Sequence, residues 1–242
     1  MCVPDTALGG RLGTTSGHMD MRRAVGKRDL ADGPLQLVGI LGGTMRLLGQ
    51  SSEKEMVASF LAGELSSKRF GDAIRAQLAV LGEPEKLLTQ PDLADPRENE
   101  ARANVLAATR GYGQDRELFE FFPSQVQWVR ALLAPKELAA VRYIEYSYWN
   151  EISDGSRFSS HAARRVKAGM QAFGVSNDRV FDAAAAVARG ERFPLLIVAG
   201  VALGELVCLE GNLRLTGYAL AGFPVEVECL VGTAPTLGRW AR

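Results

Sequence analysis

The sequence predicts an α+β protein whose mainly helical first three quarters packs on a small C-terminal β-β-α-β sheet. Two observations carry this. Between Glu53 and Gly190 the apolar residues recur at helical spacing, whereas from Pro194 onward they come in short continuous runs, PLLIVAG, ELVCLEG and VEVECLVG. No Pro- or Ser-rich linker marks the change, so residues 31–242 read as a single compact domain. Within it a helical layer spans 50–190 and a strand-turn-helix-strand segment spans 193–232. The polar, Gly-rich stretch 1–30 reads as a mobile N-terminal arm.

Taken in order, residues 35–49 fit either a short buried helix or a strand and turn. Met56, Val57, Phe60, Leu61 and Leu65 then form one helical stripe, and Phe70, Ile74, Leu78 and Leu81 a second. Asp95-Pro96 begins a third helix, with Asp95 as cap, Glu98 completing a capping-box pattern and Gly111 ending it. A further helix is expected after Pro123, and another from Pro135 to Asp154-Gly155. Ser159 or Ser160 opens the next, ended by Gly174. Ser176 or Asn177 opens the last, ended by Gly190. Two β-type runs, a helix over 212–221 and a third β-type run complete the chain.

Composition excludes several classes. The 242 residues are 47% hydrophobic and 23% charged, which suits a globular protein. Twenty-eight basic residues balance 28 acidic ones, so bulk charge gives no support for nucleic-acid binding. The 22 Arg against 6 Lys fits codon usage in a high-GC bacterium. Cys2, Cys208 and Cys229 make neither a disulfide framework nor a zinc spacing, which points to a reducing, cytoplasmic location. No secretory signal is recognisable, and Met19 or Met21 fits a start as well as Met1. The longest apolar stretch, LQLVGILGGTMRLLG, is interrupted by glycines and Arg46 and falls short of the roughly 20 residues a bilayer span needs. A membrane partner is therefore not expected, nor is a metal site.

The segment LVCLEGNLRLTGYALAG, residues 206–222, carries the strongest chemical signal. A strand ends at Glu210, Gly211 permits a tight turn, and a helix starts near Asn212. The first turn of a helix offers unpaired N–H groups and a partial positive charge, which together attract an anion. Gly211, Asn212 and Leu213 would supply backbone donors, and Arg214 a guanidinium fork for a phosphate, sulfate or carboxylate. Glu210 would act as a base or hold a cation. The competing reading is a Glu210–Arg214 surface pair four residues apart.

This segment resembles the Gly-x-x-Arg motif of the ParB/sulfiredoxin superfamily, in which an acidic residue and Gly-x-x-Arg lead from a strand into a helix. Gly211 and Arg214 match the motif, Glu210 holds the acidic position, and VEVECLVG supplies the following strand. The resemblance covers residues 193–232 only. It implies a grip on nucleotide phosphates, with ATP or another nucleotide and Mg as cofactor. Asn212-Leu213 stands where sulfiredoxins carry their reactive Cys and a His, so peroxiredoxin repair is not implied. Only 28 residues follow Arg214, too few for the DNA-binding domain of a partition protein.

Weaker constellations lie upstream. YIEYSYWNE, read as helix, would place Glu145 as a buried acid or base, with Tyr143 and Trp149 lining a substrate cavity. A core or interface helix explains the same residues. Arg110 in ATRGYG lies at a helix end and Arg157 in DGSR just after another, and either could reach an anionic substrate. His161 reads as a neutral surface residue, and Arg164-Arg165 as solvent-facing. The expected function is a small-molecule enzyme of bacterial specialised metabolism. It would catalyse phosphoryl transfer, or displace a phosphate or sulfate leaving group as a lyase or cyclase does, with Glu210, Arg214 and Glu145 catalytic. The alternative is a nucleotide-sensing or protein-binding module without turnover. An anionic small molecule is the expected partner, with a protein partner or homo-oligomer as the second class.

Overall fold

Helix punctuation places most of the helices of this chain. The computed structural model describes residues 45–242 except Leu203, so the arm at 1–30 and most of 35–49 lie outside the described residues. The described residues cluster as one compact unit. Ser52 accepts the Glu55 N–H and opens α1 (Glu53–Leu65), whose Met56, Val57, Phe60, Leu61 and Leu65 are all buried. α2 (Gly71–Leu81) buries Ile74 and Leu78, and one short turn, α3 (Lys86–Thr89), leads on to α4 (Pro96–Arg110). Asp95 caps α4 through the N–H groups of Arg97 and Glu98, and Gly111 ends it at a φ of 78°. The capping box is not completed, because Glu98 accepts from the Asp92 N–H and pairs with Arg102 instead.

Two expected helices are absent. The one after Pro123 is instead β2 (Gln127–Leu133), paired along its whole length with β6 (Val227–Thr233). Its other side pairs with β1 (Arg46–Gln50), so strand partners on both sides override the helix preference of Ala and Leu. The long helix from Pro135 is broken into α5 (Pro135–Ala140), β3 (Arg142–Tyr143) and α6 (Ser147–Ser153). Here β3 lies parallel to β5 (Leu206–Glu210), and the Tyr143 N–H is donated to the Arg157 carbonyl at 2.7 Å. A VRYI sequence, β-branched and aromatic, fits that pleated edge better than a helix interior.

The remaining helices are α7 (Ser159–Lys167), α8 (Asp178–Ala188) and α9 (Asn212–Leu220), with β4 (Leu196–Gly200) following α8. The sheet is therefore larger than the small C-terminal one predicted. It has six strands among the described residues, in the mixed order β1-β2-β6-β4-β5-β3.

Its two faces are both covered, rather than one face by a single helical layer. Ile197, Ala199, Val207, Leu209 and Leu230 pack with α1, α2 and α4. Alternate residues Leu196, Val198, Cys208, Cys229 and Val231 pack with α5, α7, α8 and α9. Burial on both faces explains why β4 and β5 read as continuous apolar runs. Each fully buried Leu, Ile or Val contributes about 1.5–3 kcal/mol. Because β5 runs between the layers and ends at Glu210, residues from both layers meet beside that strand end.

Candidate functional site

The turn from β5 to α9 requires a glycine. Gly211 has a φ of 101°, and a Cβ there would lie 2.4 Å from Leu196 Cδ2 and 3.1 Å from Arg214 Nη2. Gly211, not Asn212, holds the cap position of α9. The first helical bond runs from the Leu215 N–H to the Gly211 carbonyl at 2.8 Å, which leaves the N–H groups of Asn212, Leu213 and Arg214 ahead of it. Asn212 Oδ1 is buried with no hydrogen-bond partner among the described residues.

Arg214 is held on three sides. Nη2 donates to Glu210 Oε2, and Nη1 donates to the carbonyls of Pro194 and Leu195. Only 11% of the Arg214 side chain and 12% of Glu210 are exposed, so this is a buried pair and not the surface pair considered above. Burial raises the Glu210 carboxyl above the usual carboxylate range. The charge of Glu64 adds to that, while Arg214 and Arg110 pull the other way. On the same strand, burial pushes the Cys208 thiol well up, and on β6 it pushes Cys229 up to about 12.

These groups stand in a cleft of about 580 Å³. Its second charged pair is Glu64–Arg110, contributed by the C-terminal turns of α1 and α4, at 2.7 Å. Gly63 makes the approach of the two pairs possible, because a Cβ there would lie 3.1–3.2 Å from the Glu210 carboxylate. Phe70, Tyr146, Tyr148 and Trp149 supply an aromatic wall, and the exposed Arg69 and Arg179 complete the lining.

The other predicted site residues are dispersed. Glu145 is not buried: its side chain is 59% exposed, 3.8 Å from Arg157, and outside the cleft lining. The break between β3 and α6 turns it outward, which removes the reason for expecting a perturbed acid or base. Tyr143 lies in the core, its hydroxyl 2.6 Å from Thr216 Oγ1 and its ring stacked on Trp149 at 4.8 Å. It supports the cleft wall through Trp149 rather than lining it. Arg157 Nε donates to the Tyr143 carbonyl at 2.9 Å and Nη2 to Ala241 at 3.4 Å, ties that fix the loop and the C-terminal residues. Burial holds its guanidinium pKa below the ordinary value. Glu64 gave no signal in the sequence. Arg110 did, through its position one residue before the Gly111 cap.

Compared with known proteins, the chain matches no family model, no curated protein and no solved structure. Among the described residues, no group of three or more His, Cys, Asp or Glu is placed to hold a metal ion, and no helix is long and apolar enough to cross a membrane.

Proposed function

We propose that this protein is a small-molecule enzyme that holds an anionic substrate, a nucleotide phosphate or an activated phosphate or sulfate ester, in the cleft beside the α9 N-terminus. The observation that carries this reading is the Gly211 turn, which opens three backbone N–H groups next to Arg214 in a concave space with an aromatic wall. Such donors, fixed before the substrate arrives, stabilise negative charge as it moves onto a leaving oxygen. The chemistry is phosphoryl transfer, or displacement of the anionic group. The Gly-x-x-Arg resemblance and the reducing cytoplasm expected from cysteine usage agree with it. The carboxylates of Glu64 and Glu210 each face an arginine, so they do not suit a cation and no step is assigned to magnesium.

That same pairing favours the second reading, a binding module without turnover, since neither carboxylate of the cleft is free to act as a base. A nucleotide thermal-shift screen followed by an assay of γ-phosphate consumption separates the two. An enzyme shifts and consumes, whereas a sensor shifts only. A chain that responds to no nucleotide, phosphate ester or sulfate ester loses both readings.

A further inference from the structure

Helix α4 carries two buried arginines whose surroundings differ. Arg102 is fully buried and has four acceptors: Leu87 O at 3.0 Å, Asp92 O at 2.8 Å, Asn99 Oδ1 at 2.7 Å and Glu98 Oε2 at 2.8 Å. Arg110 is nearly as buried, with 5% of its side chain exposed. Among the described residues it donates one hydrogen bond, from Nη1 to Glu64 Oε1. A guanidinium carries five N–H donors, and no Arg110 nitrogen is at once fully buried and unpartnered, so the donors not given to Glu64 are not sealed in the core.

Aromatic rings hold the position of Arg110: its guanidinium carbon sits 3.8 Å from the centre of the Phe70 ring and 5.6 Å from that of Phe60. Its edge borders the cleft that Arg214 and the α9 N–H groups also border. The lining holds four arginines, Arg69, Arg110, Arg179 and Arg214, against two glutamates, Glu64 and Glu210, an excess of two positive charges. Such an excess matches a dianion.

We infer that Arg110 is a second ligand-binding guanidinium of this cleft, and that the ligand it meets is a dianionic phosphoryl group. This rests on the reading of the cleft as an anion site, with Arg214 and the α9 amides on one side of the ligand and Arg110 on the other. Glu64 holds Arg110 in place and competes with the ligand for its donors. Removing that competitor should therefore strengthen binding only while Arg110 is present, whereas a carboxylate that merely repelled the anion would do so with or without Arg110.

The test is calorimetric titration of inorganic pyrophosphate into the whole chain at low ionic strength. Arg110→Gln should weaken binding by about 10-fold, as the loss of a charge-assisted contact does, and Glu64→Gln should tighten it several-fold. Because Arg110→Gln leaves Glu64 without its partner, the double variant Glu64→Gln/Arg110→Gln is measured as well. It should regain thermal stability while binding as weakly as Arg110→Gln. Unchanged affinity in Arg110→Gln, with a clear loss in Arg214→Ala, would overturn the role of Arg110 and leave the anion site standing. No pyrophosphate binding by the wild-type chain, or no loss in either arginine variant, would overturn both.

Discussion

Replacing Arg214 with alanine tests whether the Glu210–Arg214 pair is a buried structural element or a marginal contact. The substitution leaves the Glu210 carboxylate buried without its guanidinium, and it strips the Pro194 and Leu195 carbonyls of a donor. Breaking a buried ion pair on one side costs about 3–5 kcal/mol, against less than about 1 kcal/mol for an exposed pair. For a domain of this size that is a fall in Tm of about 6–20 °C. The pH dependence gives a second signature. The folded pKa of Glu210 is raised above the ordinary carboxylate range by burial, so the folded chain keeps a proton that the unfolded chain has released. The stability this provides is present at low pH and is lost as pH rises through the folded pKa. Arg214→Ala removes the main influence pulling that pKa down, so the loss of stability should be larger at a mildly alkaline pH than at a mildly acidic one. Adding Glu210→Gln should recover a large part of it. Urea unfolding of the wild type, Arg214→Ala and the double variant at both pH values is the assay. A cost below about 1 kcal/mol, or one independent of pH, would refute the argument.

Gly211→Val should cost about 2–5 kcal/mol in chemical denaturation, combining a strained positive φ with a Cβ driven into Leu196; a stability equal to wild type would show that the turn can change its path. Tyr143→Phe removes one buried hydroxyl contact, to Thr216, whose own hydroxyl still donates to the Asn212 carbonyl at 2.8 Å. A loss of about 1 kcal/mol is expected by thermal melting, with pyrophosphate affinity unchanged, since Tyr143 lies outside the cleft lining. Cys208 and Cys229 are buried and held as thiols, so both should react with a thiol reagent only at the rate of unfolding. Rapid labelling of either in the native chain, followed by mass spectrometry, would contradict their placement in β5 and β6.

The parts of the fold that were legible are those with local causes. Asp95, Gly111 and Gly190 mark helix ends by chemistry confined to one turn, and the three C-terminal β-type runs are strands because both faces of the sheet are covered. Strand β2 was not legible, since Gln127–Leu133 owes its conformation to residues a hundred positions away in β6. The interruption at β3 has the same origin. Two residues pair with Val207 and Cys208, and that pairing turns a stretch rich in helix formers into two short helices. Once β1, β2 and β3 joined the sheet, its second face needed cover, and the helices divided between two layers.

The site divides along the same line. Gly211 was legible because a positive φ at a strand-to-helix turn leaves a sequence mark, and Arg214 because its spacing from Glu210 follows the helical repeat. Whether an arginine is free for a ligand is a different question. It depends on which acceptors the fold brings to its edge, and these lie far away in sequence. Arg214 meets carbonyls twenty and nineteen residues earlier, whereas Arg110 meets one carboxylate 46 residues earlier and little else. Burial alone does not distinguish them, since Arg102 is the most buried of the three and makes the most side-chain hydrogen bonds, with only its Nε unpartnered. Of these three buried arginines, the one with the fewest protein acceptors has the most donors to offer an incoming oxyanion, and that residue is Arg110, on a helix the motif does not reach.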